Sequence, residues 1–486
     1  MHIKSVIRLV AQILVFVALL MLIPALIAVI HEEWQAFSGF ILTISLMMVL
    51  SILAIILTKG QDYSQFSARD GFLFTTLTWI LAAAFGAIPL LISRTFDNYT
   101  SCYFEIMSGF TTTGASTLAD IESCFKSILF WRSMTNWLGG MGIVVLFVAF
   151  LPAIGASAGT FHLIGAESVG PVKGKFTPKT RTTAIWLWGI YFGFTALEVI
   201  FLCAGGLDLY NAVTVAFSTL SAAGFCVKNA SIGGFNSAYV EIVVTVFMIV
   251  SGMNFALYYK AFTGKLRDVL KDTEMHWYLF ITFAASLAGA VYLNASGTFD
   301  TIGLAFRKML FHIVSVLTTT GFATADYTTW PTFPIMLLVM VTFIGGCAGS
   351  AGGGIKVVRV SVVCKSGMNV IKKRIHPSSV VQLKDSDGVV NQEVVTSIFA
   401  FVSVYIITWI IGSVIIALTG QDLLTCLSST LLTLGNIGIG FGKVSPAGNF
   451  TIFPLWSKWV FSFLMMIGRL ELFTVYVIFS RAFWKR

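Results

Sequence analysis

Apolar stretches long enough to cross a membrane alternate with short polar segments along nearly the whole chain. A helix needs roughly 20 apolar residues to span about 30 Å of hydrocarbon. Runs of that kind lie at 9–30, 36–58, 71–93, 128–152, 183–205, 239–260, 276–294, 333–363, 394–418 and 455–483, which predicts ten spans. Four less apolar segments sit between spans and are too short to cross. They begin near Asn98, Asp208, Ala305 and Asp422 and run through Tyr103 to Phe110, Tyr210 to Leu220, Phe306 to Leu317 and Leu423 to Leu434.

Each short segment leads into a tract rich in Thr, Ser and Gly and then into a second span. The tracts are Thr111 to Ala115, Ser221 to Phe225, Thr318 to Phe322 and Gly435 to Ile439, and their glycines at 114, 224, 321 and 438 recur 110, 97 and 117 positions apart. The order span, short helix, tract, span therefore occurs four times, and repeats of this kind decide the fold. The expected architecture is an all-α membrane protein of four fused span, pore helix, span units around one pore, preceded by two extra transmembrane helices. The boundaries fall at 1–68 for the N-terminal hairpin, then at 69–155, 180–265, 274–375 and 392–486 for the repeats. Small residues in membrane helices also serve close packing, and one tract alone is explained more readily that way. Four tracts in equivalent positions are not. Non-helical backbone at membrane depth is tolerated only where protein buries it or where it lines a watery cavity.

Composition adds that 57% of the 486 residues are hydrophobic and 11% charged, against about 25% charged in a soluble domain. Such a chain is not a soluble enzyme. The balance of 31 Lys+Arg against 22 Asp+Glu, +9, would suggest nucleic acid in a soluble domain, but here the cations sit in loops. Lys4 and Arg8, the segments 59–69, 173–181, 260–271 and 365–384, and the Arg481, Lys485, Arg486 tail all fall on one side by span count. Cytoplasmic loops collect Lys and Arg, so both termini are expected in the cytoplasm and no nucleic-acid partner is expected. The opposite loops hold only scattered cations such as Arg94, Lys126, Lys228 and Lys443. The apolar run through Ile30 is too long for a signal-peptide core and reads as a first helix. Seven cysteines show no metal-type spacing, and Cys102 and Cys124 share one outer stretch that would accommodate a disulfide.

Several residues carry candidate chemistry. A dehydrated cation needs several oxygens at once, which backbone carbonyls of converging extended loops provide, and glycine permits the backbone angles. Glu105 lies within the first short helix, either as a structural hydrogen-bond partner or as an aid to cation entrance. Gly345 to Gly354 holds six glycines in ten positions, each costing about 1 kcal/mol of helix propensity against alanine, and should break its span around a loop. A packed glycine-rich interface is the competing reading. Arg469 and Glu471 stand at membrane depth two positions apart, so they do not face each other on a helix. Arg469 is expected to face the ion path or to tie carbonyls of the glycine loop, two compatible roles. Glu198, Lys356 and His312 read as structural. Sequons at Asn98, Asn229, Asn294 and Asn449 fall on the outer side.

The tracts Phe110 to Gly114, Phe217 to Phe225 and Thr319 to Ala323, with Ile344 to Gly354 and Gly468 to Glu471, closely resemble the bacterial Trk/Ktr cation-transporter family. The resemblance covers the whole chain, and the two extra N-terminal spans point to the Trk membrane subunit. The second tract has Ala222 and Ala223 where another glycine is frequent, and the fourth has Gly435 where Asn is common. Sodium-favouring relatives tend to place Ser at the first filter position, whereas this chain has Gly114. The resemblance implies potassium uptake by a channel-like homodimer in the bacterial cytoplasmic membrane, working with a cytosolic nucleotide-binding ring of RCK type. Potassium is then the transported ion, with no organic cofactor on this chain.

The filter is accordingly expected at Thr112, Thr113, Gly114, Ala223, Gly224, Thr319, Thr320, Gly321, Ile437 and Gly438, with the ion at Thr113, Gly114, Gly224, Thr320, Gly321 and Gly438. The gate is expected at Gly345, Gly346, Cys347, Ala348, Gly349, Ser350, Ala351, Gly352, Gly353 and Gly354 together with Arg469. The basic segments 173–181 and 365–374 are expected to dock the soluble partner. An ion-coupled secondary transporter, symporting potassium with protons or sodium, is the alternative, although inverted repeats would alternate orientation and these four enter from one side. A membrane enzyme needs a converging catalytic set. His2, His31, His162, His276, His312 and His376 show no ligand spacing, so no catalytic residue is assigned.

Overall fold

The computed structural model describes residues 1–60, 67–142, 180–377, 382–385 and 388–485. Among them the chain is helical apart from connecting loops and one antiparallel pair, Lys384–Asp385 with Gly388–Val389. Six helices are long and apolar enough to cross a membrane: Ile3–Ile30, Trp34–Leu57, Arg69–Ile92, Ala184–Ala204, Thr273–Ala295 and Gln392–Ala417. Two more predicted spans are bent pairs. Ala238–Gly252 turns by 91° into Phe255–Phe262, and Leu455–Arg469 turns by 116° into Leu472–Phe479. The span expected at 128–152 is described only as Lys126–Gly140, its remainder lying outside the described residues. The one expected at 333–363 is split into Thr332–Thr342 and Val357–Ile375. The uninterrupted second spans expected in the second and fourth units are thus corrected to broken ones.

The four short helices are Tyr99–Phe110, Leu209–Leu220, Ile302–Leu317 and Leu423–Gly435. A side-chain oxygen starts each one. Asn98, Asp208, Thr301 and Asp422 accept from the backbone N–H of Ser101, Asn211, Leu304 and Thr425, caps of about 1 kcal/mol each. The third helix begins at Ile302, ahead of the expected Ala305, because Thr301 is its cap. Each short helix packs against the trailing span of the preceding unit as well as its own neighbours. The second lies on Lys126–Gly140, the third on Ala238–Gly252, the fourth on Thr332–Thr342, and the first on Leu455–Arg469. The packing order therefore closes on itself.

The N-terminal hairpin, Ile3–Ile30 and Trp34–Leu57, buries Val6, Ile13, Val17 and Phe40 and leaves Leu42, Val49, Leu53 and Ile56 exposed. Exposed apolar side chains on a spanning helix face lipid. Its turn reaches the first unit. The Glu33 carboxylate accepts from the backbone N–H of Lys126 (2.7 Å) and Ser127 (3.0 Å) and from the Ser127 hydroxyl (2.5 Å). Helix Lys126–Gly140 has no side-chain cap of its own, so Glu33 supplies the missing acceptor and a favourable charge at its N-terminus. Of the basic segment 173–181, only the start of helix Thr180–Ala204 is described.

Candidate functional site

The four tracts meet in a ring, and the glycines are where they touch. A Cβ on Gly114 would lie 2.2 Å from the Gly224 nitrogen, one on Gly224 2.9 Å from the Thr320 oxygen, and one on Gly321 2.5 Å from the Gly438 nitrogen. One on Gly438 would lie 3.1 Å from the Gly114 and Thr113 oxygens, which closes the circle. All four glycines expected at the filter are thus neighbours in chain order, and backbone carbonyls of Thr113, Gly114, Thr320 and Gly321 lie at the junctions. The backbone angles are distributed differently from the expectation. Gly114 (φ 76°) and Gly321 (φ 80°) adopt left-handed angles, whereas Gly224 and Gly438 do not. The left-handed residue common to all four tracts lies two positions earlier and is never glycine: Thr112 (54°), Ala222 (55°), Thr319 (63°) and Asn436 (56°). For residues with a Cβ such angles are strained and persist only when the surroundings impose them.

Below this fourfold plan lies a twofold one. In the first unit the Thr111 and Thr113 hydroxyls pair at 2.9 Å, and in the third Thr318 and Thr320 pair at 2.8 Å. Ala223 and Ile437 occupy the position before the glycine in the other two units and have no hydroxyl. Asn436 joins the fourth tract to the first, donating to the Thr113 hydroxyl (3.0 Å) and to the Met465 carbonyl (2.9 Å). Thr319 meets the Gly345 to Gly354 segment, its hydroxyl accepting from the Gly353 N–H at 2.7 Å.

Buried charges clamp the tracts from behind. Glu105 and Arg132, both within 1% of full burial, pair at 2.6 Å. The same carboxylate accepts from the Ser116 hydroxyl (2.8 Å) and the Thr117 N–H (2.9 Å), fixing the chain as it leaves the first tract. The Arg132 guanidinium also lies 4.1 Å from the Phe225 ring centre, beside the second tract. Glu105 is therefore the structural partner, one of the two roles the sequence left open. Arg132 escaped the sequence reading, and a lone arginine inside an apolar run was its signal. In the third unit the His312 ring nitrogens reach the carbonyls of Lys308 (2.8 Å) and Ala325 (3.1 Å), a core histidine as expected. The Tyr327 hydroxyl donates to the Gly440 carbonyl (2.6 Å), tying the loop after the third tract to the chain just beyond the fourth.

Between the loops that follow the first and second tracts, Lys228 pairs with Glu122 at 3.0 Å, and the Asn229 amide donates to Asp120 at 2.7 Å. The Asn229 amide holds the Asp120 carboxyl below its ordinary value, and the Lys228 hydrogen bond does the same for Glu122. The other sequon side chains are also engaged: Asn98 caps a helix, Asn294 donates to the Phe299 carbonyl and Asn449 to the Leu118 carbonyl. Cys102 and Cys124 are free thiols, each donating to a backbone carbonyl four residues earlier in its own segment.

Gly345 to Gly354 forms a loop directly beneath the ring, as the glycine content predicted. Its base is closed by hydrogen bonds from Gly345 N to Ile355 O (2.7 Å) and from Val357 N to Gly346 O (3.2 Å). The loop also packs tightly, which the competing reading anticipated. A Cβ on Gly352 would meet the Thr318 oxygen at 2.6 Å, and one on Gly353 the Gly435 oxygen at 2.5 Å. Arg469 donates to the carbonyls of Ala351 (2.6 Å), Gly139 (2.5 Å) and Gly140 (2.6 Å), so it ties the loop to the first unit's trailing span. The Lys356 ammonium, fully buried, is held by the Gly352 carbonyl. Glu471, at φ 60° in the 116° bend, receives the Arg359 guanidinium at 2.9 Å. Glu198 is fully buried on helix Thr180–Ala204, and neither carboxyl oxygen takes a hydrogen bond among the described residues.

This arrangement has relatives along its whole length. The profile of the family described as "Cation transport protein" (TrkH) matches residues 34–486. The chain belongs to this TrkH family. It is 33% identical to the Trk system potassium uptake protein TrkH of Escherichia coli K12, covering all of both chains. Against the TrkG protein of the same strain identity is 31%, over 100% of this chain and 99% of the relative. The crystal structure of the potassium transporter TrkH from Vibrio parahaemolyticus superposes with a TM-score of 0.88 at 32% identity over both full chains. Membership of the TrkH family and the apolar helices make the chain a multi-pass membrane protein of cation transport.

Proposed function

We propose that the chain conducts potassium into the cell through the ring of Gly114, Gly224, Gly321 and Gly438, and that the Gly345 to Gly354 loop with Arg469 gates the path. The closed ring carries this reading. Four extended tracts that abut through glycine bring backbone oxygens to one centre, and such oxygens replace a cation's hydration shell. The short helices contribute the negative ends of their dipoles where they run into the tracts. The relatives supply the ion, since the proteins from Escherichia coli and Vibrio parahaemolyticus are named for potassium. The four repeats of the predicted boundaries are the span, pore helix, span units, and the basic loops set their orientation, with both termini in the cytoplasm.

Two assembly features belong to the same proposal. The chain works as a homodimer, and a cytosolic nucleotide-binding ring docks on the basic face. The exposed Lys372, Lys373 and Arg374 at the end of helix Val357–Ile375 support the docking site, because clustered cations attract an acidic partner surface. Ion flux into proteoliposomes tests the function. Potassium and rubidium should enter faster than sodium and lithium, without dependence on an imposed pH gradient. Gly114→Ser should lower the potassium to sodium ratio. Uptake that requires a proton or sodium gradient would replace conduction by symport, and unchanged selectivity in all four single Gly→Ser variants would remove the filter assignment.

A further inference from the structure

We propose that Glu274 is the latch of the glycine loop, a positioning residue that holds the loop in the place it occupies beneath the ring. The proposal rests on the gate reading given above and names the group that sets the gate's resting position. Glu274 is the second residue of helix Thr273–Ala295 and is only 9% exposed. One carboxylate oxygen, Oε1, accepts two backbone N–H groups, those of Ala348 at 2.7 Å and Val358 at 3.0 Å. Ala348 lies in the first turn of the loop, and Val358 is the second residue of the helix that leaves it, Val357–Ile375. A single side-chain atom from another span therefore bridges the two ends of the loop.

The local chemistry makes this contact more than one hydrogen bond among several. Helix Val357–Ile375 has no side-chain cap from its own N-terminal residue, Lys356. The Glu274 carboxylate takes that place, where an anion also meets the positive end of the helix dipole. The loop's other N–H groups run to neutral acceptors, Cys347 to the Gly252 carbonyl (2.8 Å), Ala351 to the Ser251 carbonyl (3.3 Å) and Gly353 to the Thr319 hydroxyl, while Arg469 and Lys356 hold its carbonyls at Ala351 and Gly352. A bond to a charged acceptor is roughly twice as strong as a neutral one. Removing the acceptor leaves two N–H groups that must find water, which they reach only if the loop opens. Because Val358 lies in the first turn of the helix that ends in the exposed basic turn, a displacement of that helix acts on this latch.

The loop contains its own reporter, since Cys347 is 1% exposed and adjoins Ala348. The test uses the full chain in proteoliposomes and compares the parent, Glu274→Ala, Glu274→Gln and a variant lacking Gly352 and Gly353. Rubidium flux is measured beside the rate at which N-ethylmaleimide labels Cys347, read by mass spectrometry, with buried Cys226 as the control for folding. Glu274→Ala should raise both flux and Cys347 labelling about tenfold. Glu274→Gln, whose carbonyl still accepts both N–H groups but without the charge, should give an intermediate rise of about threefold. Where the alanine variant exposes Cys226 as well, Glu274→Asp keeps the charge with a shorter reach and should give the same rise in Cys347 labelling. Parent-level flux and labelling in Glu274→Ala and Glu274→Asp, with faster conduction in the shortened loop, would overturn the latch and spare the gate. Faster Cys347 labelling with no gain of flux in any variant, the shortened loop included, would uphold the latch and remove the gate.

Discussion

Single alanine substitutions at the four ring glycines should differ in severity, and the geometry fixes their order. At Gly114 two costs combine. A residue with a Cβ at the left-handed φ of 76° loses about 1–2 kcal/mol, and its Cβ would stand 2.2 Å from the Gly224 nitrogen. Relieving that overlap forces the two tracts apart by roughly 1 Å, an overpacking cost of about 1–3 kcal/mol. Gly321 shares both terms in weaker form, with φ 80° and a 2.5 Å approach to the Gly438 nitrogen. Gly224 has no left-handed angle, and its Cβ would meet the Thr320 oxygen at 2.9 Å. Gly438 is the mildest, with a 3.1 Å contact that a shift of a few tenths of an ångström relieves. The total runs from about 2–5 kcal/mol at Gly114 to about 1 kcal/mol or less at Gly438. Displaced carbonyls are poorer substitutes for a hydration shell, so discrimination should fall in the same order. Rubidium and sodium fluxes from monodisperse protein in proteoliposomes, with thermal unfolding in detergent, measure both. Discrimination lost at least as fully in Gly438→Ala as in Gly114→Ala would refute the reasoning.

Two further outcomes concern the charges behind the ring. Breaking the Glu105–Arg132 pair with Glu105→Gln or Arg132→Met should cost about 3–5 kcal/mol each, while the double change costs far less than their sum; additive losses in thermal unfolding would mean the pair does not act as a unit. The clip of Asp120, Glu122, Lys228 and Asn229 responds to acid in one direction. Asp120 and Glu122 have lowered values when folded, so their contribution is present above the unfolded range of about 3.9–4.3 and is lost as pH falls through the lowered values. The Ile121 N–H, which donates to Asn229 at 2.7 Å, should keep a constant exchange protection factor from pH 5 to 8 and lose it only below about pH 4.

The four short helices and the tracts that follow them were visible in the sequence because short helix and glycine tract are local signals. The glycine loop was visible for the same reason, since six glycines in ten positions leave no helix to form. The breaks after Gly252 and at Arg469 to Glu471 were not, because Met253, Phe255, Leu470 and Leu472 keep the hydropathy high across them. Asn254, whose side chain accepts from the Ala256 N–H, was the available signal for a new helix start. The ring itself was half legible. Gly114 and Gly321 need glycine for their angles, but Thr112, Ala222 and Thr319 are left-handed against their own preference. Only packing between units imposes that, and no single repeat contains the information. Glu105 with Arg132, Arg359 with Glu471 and Glu274 with Ala348 are likewise contacts between distant positions.

Most charged groups near the ring spend their charge on protein partners, which bears on what Arg469 does. Its guanidinium reaches three carbonyls on two elements, Gly139 and Gly140 on one and Ala351 on the other. Planar N–H donors in a fixed fork suit that task, whereas a lysine ammonium is a compact point charge on a flexible stem. As an electrostatic barrier the residue would act through charge alone, and the coulombic term between a cation and either side chain is similar. Arg469→Lys therefore separates the two roles that Arg469→Ala leaves joined. If the fork matters, lysine loses at least one of the two elements, the loop is released, and flux rises nearly as far as in the alanine variant. If charge matters, lysine holds flux near the parent value while alanine raises it. The three short carbonyl contacts favour the first result, and a lysine variant that conducts like the parent would return Arg469 to the role of a barrier.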